Sequence, residues 1–264
     1  MSLALNLTAL AALVPASLLA VRPGSSVGMR LWFAIAVAAV GACGWSIARL
    51  ADHWDPGLGV ALWISVAAIL LAFSVIVLIR PWAGRLASLL GPYLLVMGAI
   101  AVLADRPEPV GVVGRLPEAW VIVHILVSLM TYALATLAAV AGLSVVLKGD
   151  ALKAKRDSGW RAGLPAVADA DRLQFQLLLL ALIVLGIGIV SGMALEIAET
   201  SRLMAIDHKT VLSLVAFLVV AAVLGLHKWS GLRGRRAARV VLVVYLLLTL
   251  AYPGVKAIRG VMAG

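Results

Sequence analysis

Apolar residues run through this chain in eight long blocks, parted by short polar connections that hold most of the charge. The blocks lie at about 3–21, 31–50, 59–79, 86–104, 119–147, 173–195, 209–227 and 239–258. Each, wound as a helix rising 1.5 Å per residue, is long enough to cross a hydrocarbon layer about 30 Å thick. The pattern predicts an all-α fold, a polytopic membrane helical bundle of about eight transmembrane helices.

The polar connections set the orientation. Those after blocks one, three, five and seven hold 15 of the 22 Lys and Arg residues, and the opposite side holds seven. Positive charge stays on the cytoplasmic side, so the prediction is N-out and C-out. No Lys or Arg precedes Leu3–Val21 and no small-residue cleavage site follows, so that block reads as a retained first span. Only Lys148–Arg172 is a long connection; its mixed charge with Gly and Pro reads as a mobile cytoplasmic loop, 148–172. Residues 1–264 are then a single transmembrane domain with no segment left for a soluble one.

Composition sharpens this picture. With 64% hydrophobic residues, 13% charged residues and a mean hydropathy of +1.10, the chain suits a lipid solvent. Its formal charge of +10 is spread over short loops, which is membrane topology rather than a groove for nucleic acid. Cys43 is the single cysteine, which excludes an internal disulfide or a Cys-x-x-Cys relay.

Candidate chemistry rests on four histidines. His124 opens the fifth block, and Ser128, Thr131 and Thr136 follow along its side of a helix with Tyr132 beside them. Such a stripe faces a bundle interior or cavity; alternatively, His124 is a buried ring satisfied by a neighbouring hydroxyl. His208 opens the seventh block beside Asp207 and Lys209, which also describes a solvated helix end. His227 closes that block, either as a second site near the opposite face or as a ring reaching headgroups among basic neighbours. His53 sits in a connection next to Trp54 and Asp55, where most histidines are merely solvated. Nineteen residues of helix part His208 from His227, roughly 28 Å, so those two cannot share one metal. Histidines converging from spans five and seven suit a flat macrocycle better than a compact zinc cage. Gly188-x-x-x-Gly192, with Gly186 and Ser191, reads as a close helix contact, and Tyr245, Thr249 and Tyr252 share one side of span eight.

The last spans carry a resemblance. Asp207-His208-Lys209-Thr210, Leu226-His227, Leu232-Arg233-Gly234-Arg235-Arg236-Ala237-Ala238 and Leu250-Ala251-Tyr252-Pro253-Gly254-Val255 resemble the CcsA/ResC/HemX cytochrome c assembly family, and within it the YpjD-like group. His124 with Ser128 and Tyr132, and Asp171-Arg172-Leu173-Gln174-Phe175, agree with it; residues 118–258 match best. The resemblance implies a multi-pass protein of the bacterial inner membrane that handles haem. It matches His124 to the family's external haem-ligating histidine and His227 to its membrane histidine near the cytoplasmic face. Two departures stand out. Glu196–Thr210 is short and lacks the family's tryptophan-rich haem-presentation segment, and no second external histidine follows the last span. His208 is the expected replacement, giving His124 and His208 as the haem-iron ligands and His227 as a further haem contact. The expected role is a chaperone or accessory factor, leaning away from enzyme, whose partners are the lipid bilayer, haem and other cytochrome-maturation or membrane proteins. The alternatives are a non-enzymatic HemX-like regulator or scaffold and a small-solute transporter.

The orientation is testable with reporter fusions in a bacterial host. Alkaline phosphatase joined after Asp55 or Glu118 should be active, and green fluorescent protein joined within 148–172 should fluoresce; the reversed pattern would invert the topology.

Overall fold

The computed structural model describes residues 3–21, 28–52, 57–105, 119–155, 159–200, 208–230 and 234–249. Among these residues eight α-helices follow one another: α1 (Leu3–Val21), α2 (Met29–Asp52), α3 (Leu58–Ile79), α4 (Ala87–Ala104), α5 (Ala119–Lys153), α6 (Val167–Thr200), α7 (His208–Ser230) and α8 (Arg235–Thr249). No strand occurs among the described residues. Seven helical stretches among the described residues are long and apolar enough to cross a membrane, and α8 is described over 15 residues. The chain is a multi-pass helical membrane protein. Helix is the form hydrocarbon permits, because each backbone N–H and C=O finds its partner inside its own segment.

Helix ends depart from the apolar blocks where polar residues extend the winding. The expected spans 119–147 and 173–195 are parts of helices of 35 and 34 residues. At 1.5 Å per residue, α5 is about 52 Å long, well beyond the apolar layer. The connection expected over 148–172 is therefore confined to residues 154–166. Before α4, Pro81 starts a 3-10 turn, Pro81–Leu86, at a first-turn position where its missing N–H is no loss.

The described helices fall into two compact units, residues 1–116 with 144–170 and residues 117–143 with 171–264. In the first, α1 packs on α2 and α4, and α3 packs on the same two, so each helix touches two others in a ring. Leu13, Trp45, Trp63, Ile69, Phe73 and Leu90 fill its centre, each with 2% or less of its surface exposed. A polar network ties four segments of this unit together. Asn6 of α1 donates to Asp105, just past α4, at 2.6 Å. It accepts from the Trp63 indole of α3 at 3.0 Å. The Arg49 guanidinium of α2 lies 3.5 Å from the same carboxylate. Trp45 packs on Trp63, with ring centroids 5.5 Å apart. Lys148, buried near the end of α5, donates to the carbonyls of Arg161 and Ala162 at 3.3 and 3.1 Å. With Leu164 buried nearby in sequence, the described part of that connection, 159–166, folds onto its own unit.

The second unit joins segments far apart in sequence. The Gly234 N–H, from a residue at φ +67°, donates to the Asp171 carboxylate at 3.1 Å. Gln174 is fully buried beside Gly142, where any Cβ would stand 2.7 Å from the Gln174 side-chain oxygen and 3.6 Å from the Ala238 Cα. Neither amide atom of Gln174 has a hydrogen-bond partner among the described residues. The Tyr132 and Tyr245 hydroxyls meet at 3.2 Å.

Removing a carboxylate from beside a buried guanidinium destabilises by about 3–5 kcal/mol, while an apolar exchange of both partners is far milder. Asp105→Ala should therefore lower the unfolding temperature in detergent much more than the double variant Arg49→Met, Asp105→Leu. Equal losses would show that Asp105 does not stabilise Arg49. At Gln174, exchanging a desolvated amide for a similar apolar shape relieves a penalty of about 1–3 kcal/mol. Gln174→Met should unfold at the same or a higher temperature; a clear drop would show that the amide is satisfied after all.

Candidate functional site

The amino-terminal end of α5 holds the best-built site. Its helix carries Trp120 and His124 one turn apart, so both project over the same stretch of α6. There the backbone is bare. A Cβ at Gly192 would stand 3.1 Å from His124 Cε1 and 3.8 Å from each ring nitrogen, and one at Gly188 would stand 3.4 Å from Val127 Cγ1. Glycine at these two positions lets α5 approach until the imidazole lies on the α6 backbone. Between them Ser191, buried, sets its Oγ 2.9 Å from His124 Nδ1. The same hydroxyl donates to the Gly188 carbonyl at 2.9 Å. Trp120 Nε1 donates to the Ser191 carbonyl at 3.3 Å. Nε2 of His124 has no hydrogen-bond partner among the described residues.

The hydroxyl stripe below His124 is satisfied locally. Ser128 donates to the His124 carbonyl, Thr131 to Val127 and Thr136 to Tyr132, each one turn back at 2.8–2.9 Å. Such back-bonding is the usual resource of Ser and Thr in apolar helices. These three groups therefore make no demand on a partner across the bundle. Tyr132 differs, because its hydroxyl is too far from its own backbone and meets Tyr245 instead. Thr249 folds back on the Tyr245 carbonyl at 2.9 Å, and Tyr252 lies outside the described residues.

His227, at the carboxy-terminal end of α7, stands in a different setting. Its ring stacks on Phe175 of α6, centroids 3.5 Å apart and planes 17° from parallel. Phe175 belongs to the same short segment as Asp171 and Gln174, so the contacts to Gly234, Ala238 and His227 all come from α6 residues 171–175.

The four histidines of the sequence thus fare differently. His124 and His227 each pack on α6, and no described contact joins them to one another. His208 begins α7, but its side chain lies outside the described residues, as does the whole of His53. Sequence reasoning missed the partners: Ser191 and Gly192 stood out only as a close helix contact, and Phe175 only as part of a motif. The glycine spacing was the signal available, since a bare strip beside a buried hydroxyl suits a flat polar ring.

The profile of the family described as cytochrome C assembly protein matches residues 31–262. A protein of Azospirillum brasilense, described as an uncharacterized 28.8 kDa protein in nifR3-like 5′ region, is 44% identical over 265 residues, covering 98% of this chain and 97% of its own. The cytochrome c biogenesis protein CcsA of Parasynechococcus marenigrum (strain WH8102) is 26% identical over 165 residues, 54% of each chain. With the profile spanning α2 to beyond α8, this chain belongs to the cytochrome c assembly protein family.

Proposed function

We propose that this protein handles haem in the bacterial inner membrane during cytochrome c assembly, as a chaperone or accessory factor. The observation that carries the reading is the His124 imidazole: one nitrogen is held by Ser191, and the other has no partner among the described residues. Haem, when bound, supplies an iron that accepts neutral imidazole nitrogen as an axial ligand. The donor chemistry at His124 fits that need, and Gly192 leaves the ring room without a Cβ in the way.

In this reading His124 and His208 hold haem at the outward face, where the amino-terminal ends of α5 and α7 lie under the positive-inside rule. His208 takes the part of the second external histidine that the family resemblance leads one to expect. His227, its plane set by Phe175, serves near the cytoplasmic face, where haem is first met. The family match and the CcsA relative support haem handling as the class of activity. The short stretch Glu196–Thr210, without tryptophan, favours an accessory role over independent attachment of haem to apocytochrome.

Titration of the detergent-purified protein with haemin, followed by absorbance, tests this. The wild type should give a bis-histidine Soret spectrum. His124→Ala and His208→Ala should each lose the six-coordinate form and weaken binding more than about tenfold, since even an outer hydrogen-bond partner of a ligand is worth 10–100-fold. His227→Ala should keep the wild-type spectrum. Unchanged spectra in both His124→Ala and His208→Ala would overturn the ligand assignment, and no uptake by the wild type would leave a scaffold role as the better reading.

A further inference from the structure

We propose that Ser191 is a positioning residue that fixes the tautomer of His124, holding the proton on Nδ1 and leaving the Nε2 lone pair as the ligand. The argument is a count of protons. A serine hydroxyl has one hydrogen to give and two lone pairs to receive with. Ser191 Oγ makes two contacts of 2.9 Å, one to the Gly188 carbonyl and one to His124 Nδ1. A carbonyl oxygen only accepts, so the serine hydrogen belongs to Gly188. The second contact is then a hydrogen bond only if the ring donates, with Nδ1–H pointing at Oγ. A neutral imidazole carries a single N–H, so Nε2 is left with its lone pair.

The opposite tautomer fits the same atoms badly. With the proton on Nε2, Nδ1 becomes an acceptor and competes with the Gly188 carbonyl for the one serine hydrogen. One of the two 2.9 Å contacts would then set two acceptors against each other with no hydrogen between them. Turning the ring over offers no escape, because it would put a C–H against Oγ. The local frame resists rotation as well. Trp120 Nε1 ties α5 to the Ser191 carbonyl at 3.3 Å, and Gly192 lies 3.1 Å beneath Cε1, measured to the Cβ it lacks.

The consequence is selection of the nitrogen. Histidine in water prefers the proton on Nε2, the form in which Nδ1 would have to serve as ligand. Here Nδ1 is taken by the serine, and Nε2, the nitrogen farther from the backbone, is ready for a metal without rearrangement. A ligand held in its binding tautomer avoids reorganisation when the metal arrives, which is how hydrogen-bond partners of ligating histidines raise affinity. The step to haem rests on the function proposed above; the tautomer does not.

Nitrogen-15 NMR of histidine-labelled apoprotein in micelles tests the assignment, with the His124→Gln spectrum identifying the resonances. The wild type should show His124 protonated on Nδ1 and bare on Nε2. Ser191→Ala should move the population toward the Nε2–H form and weaken haemin binding about 10–100-fold, while Ser191→Thr, which keeps the hydroxyl, should restore both. A wild-type ring carrying its proton on Nε2, or on both nitrogens at neutral pH, would overturn the proposal without any variant having to fold. If the wild type shows the Nδ1–H form but takes up no haemin, the role of Ser191 stands and the haem reading falls. If haemin binds through His124 while the apoprotein is in the Nε2–H form, the reverse holds.

Discussion

A polar group in hydrocarbon cannot trade its hydrogen bonds with water, so one left unanswered in a spanning helix, as the Gln174 amide is among the described residues, is costly. This chain answers others in two ways. Short hydroxyls fold back on their own helix: Ser17 on Leu13, Ser46 on Ala42, Ser65 on Ala61 and Ser74 on Leu70. Rings, amides and charges cannot reach back in this manner and must cross to another segment. Asn6 with Asp105, Trp63 with Asn6, Tyr132 with Tyr245 and His124 with Ser191 are such crossings. The first kind is neutral toward tertiary structure. The second fixes which helices sit side by side and in what register, and it is there that chemistry can be built.

Two kinds of contact constrain a ring differently. Stacking, as of His227 on Phe175, bears on the plane of a ring through dispersion and area and not on which nitrogen carries the proton. A hydrogen bond to Ser191 sets both the plane and the proton of His124. A site for a particular ligand atom needs the second kind of control, because a lone pair pointing the wrong way is no ligand at all. The glycines of α6 make this possible by letting the ring come close enough for a hydroxyl on the next helix to reach it.

Hydropathy made the spans legible, since lipid imposes length and apolarity on each helix and little else. It was blind to their polar extensions: α5 and α6 continue past the last apolar residues because helix, once begun, needs no hydrophobic partner to run on into the interface. It was blind also to Arg49, at the end of the second block, and Asp105, just past the fourth, which stand 3.5 Å apart with a tenth or less of each side chain exposed. Their pairing depends on three-dimensional neighbours that no periodicity records. His124 stood out from the sequence because an imidazole in an apolar block is expensive. Ser191 did not, because a serine in such a block is cheap, and its value lies only in what stands opposite.

The same asymmetry accounts for where the family resemblance was readable by eye. In the first unit the core is filled by apolar side chains that many sequences supply equally well, and its polar contacts join single residues rather than runs. In the second, Asp171 meets Gly234, Gln174 rests between Gly142 and Ala238, and Phe175 lies on His227. Each of these contacts needs a particular group: a carboxylate for a backbone N–H, a residue without Cβ beside an amide, a flat ring on a flat ring. Short motifs separated by fifty residues or more therefore come from one surface of contact, and a pattern in the sequence is what such a surface leaves behind. The first unit leaves mainly a hydropathy trace, which is why its membership emerges from the match over residues 31–262 and not from any single run of residues.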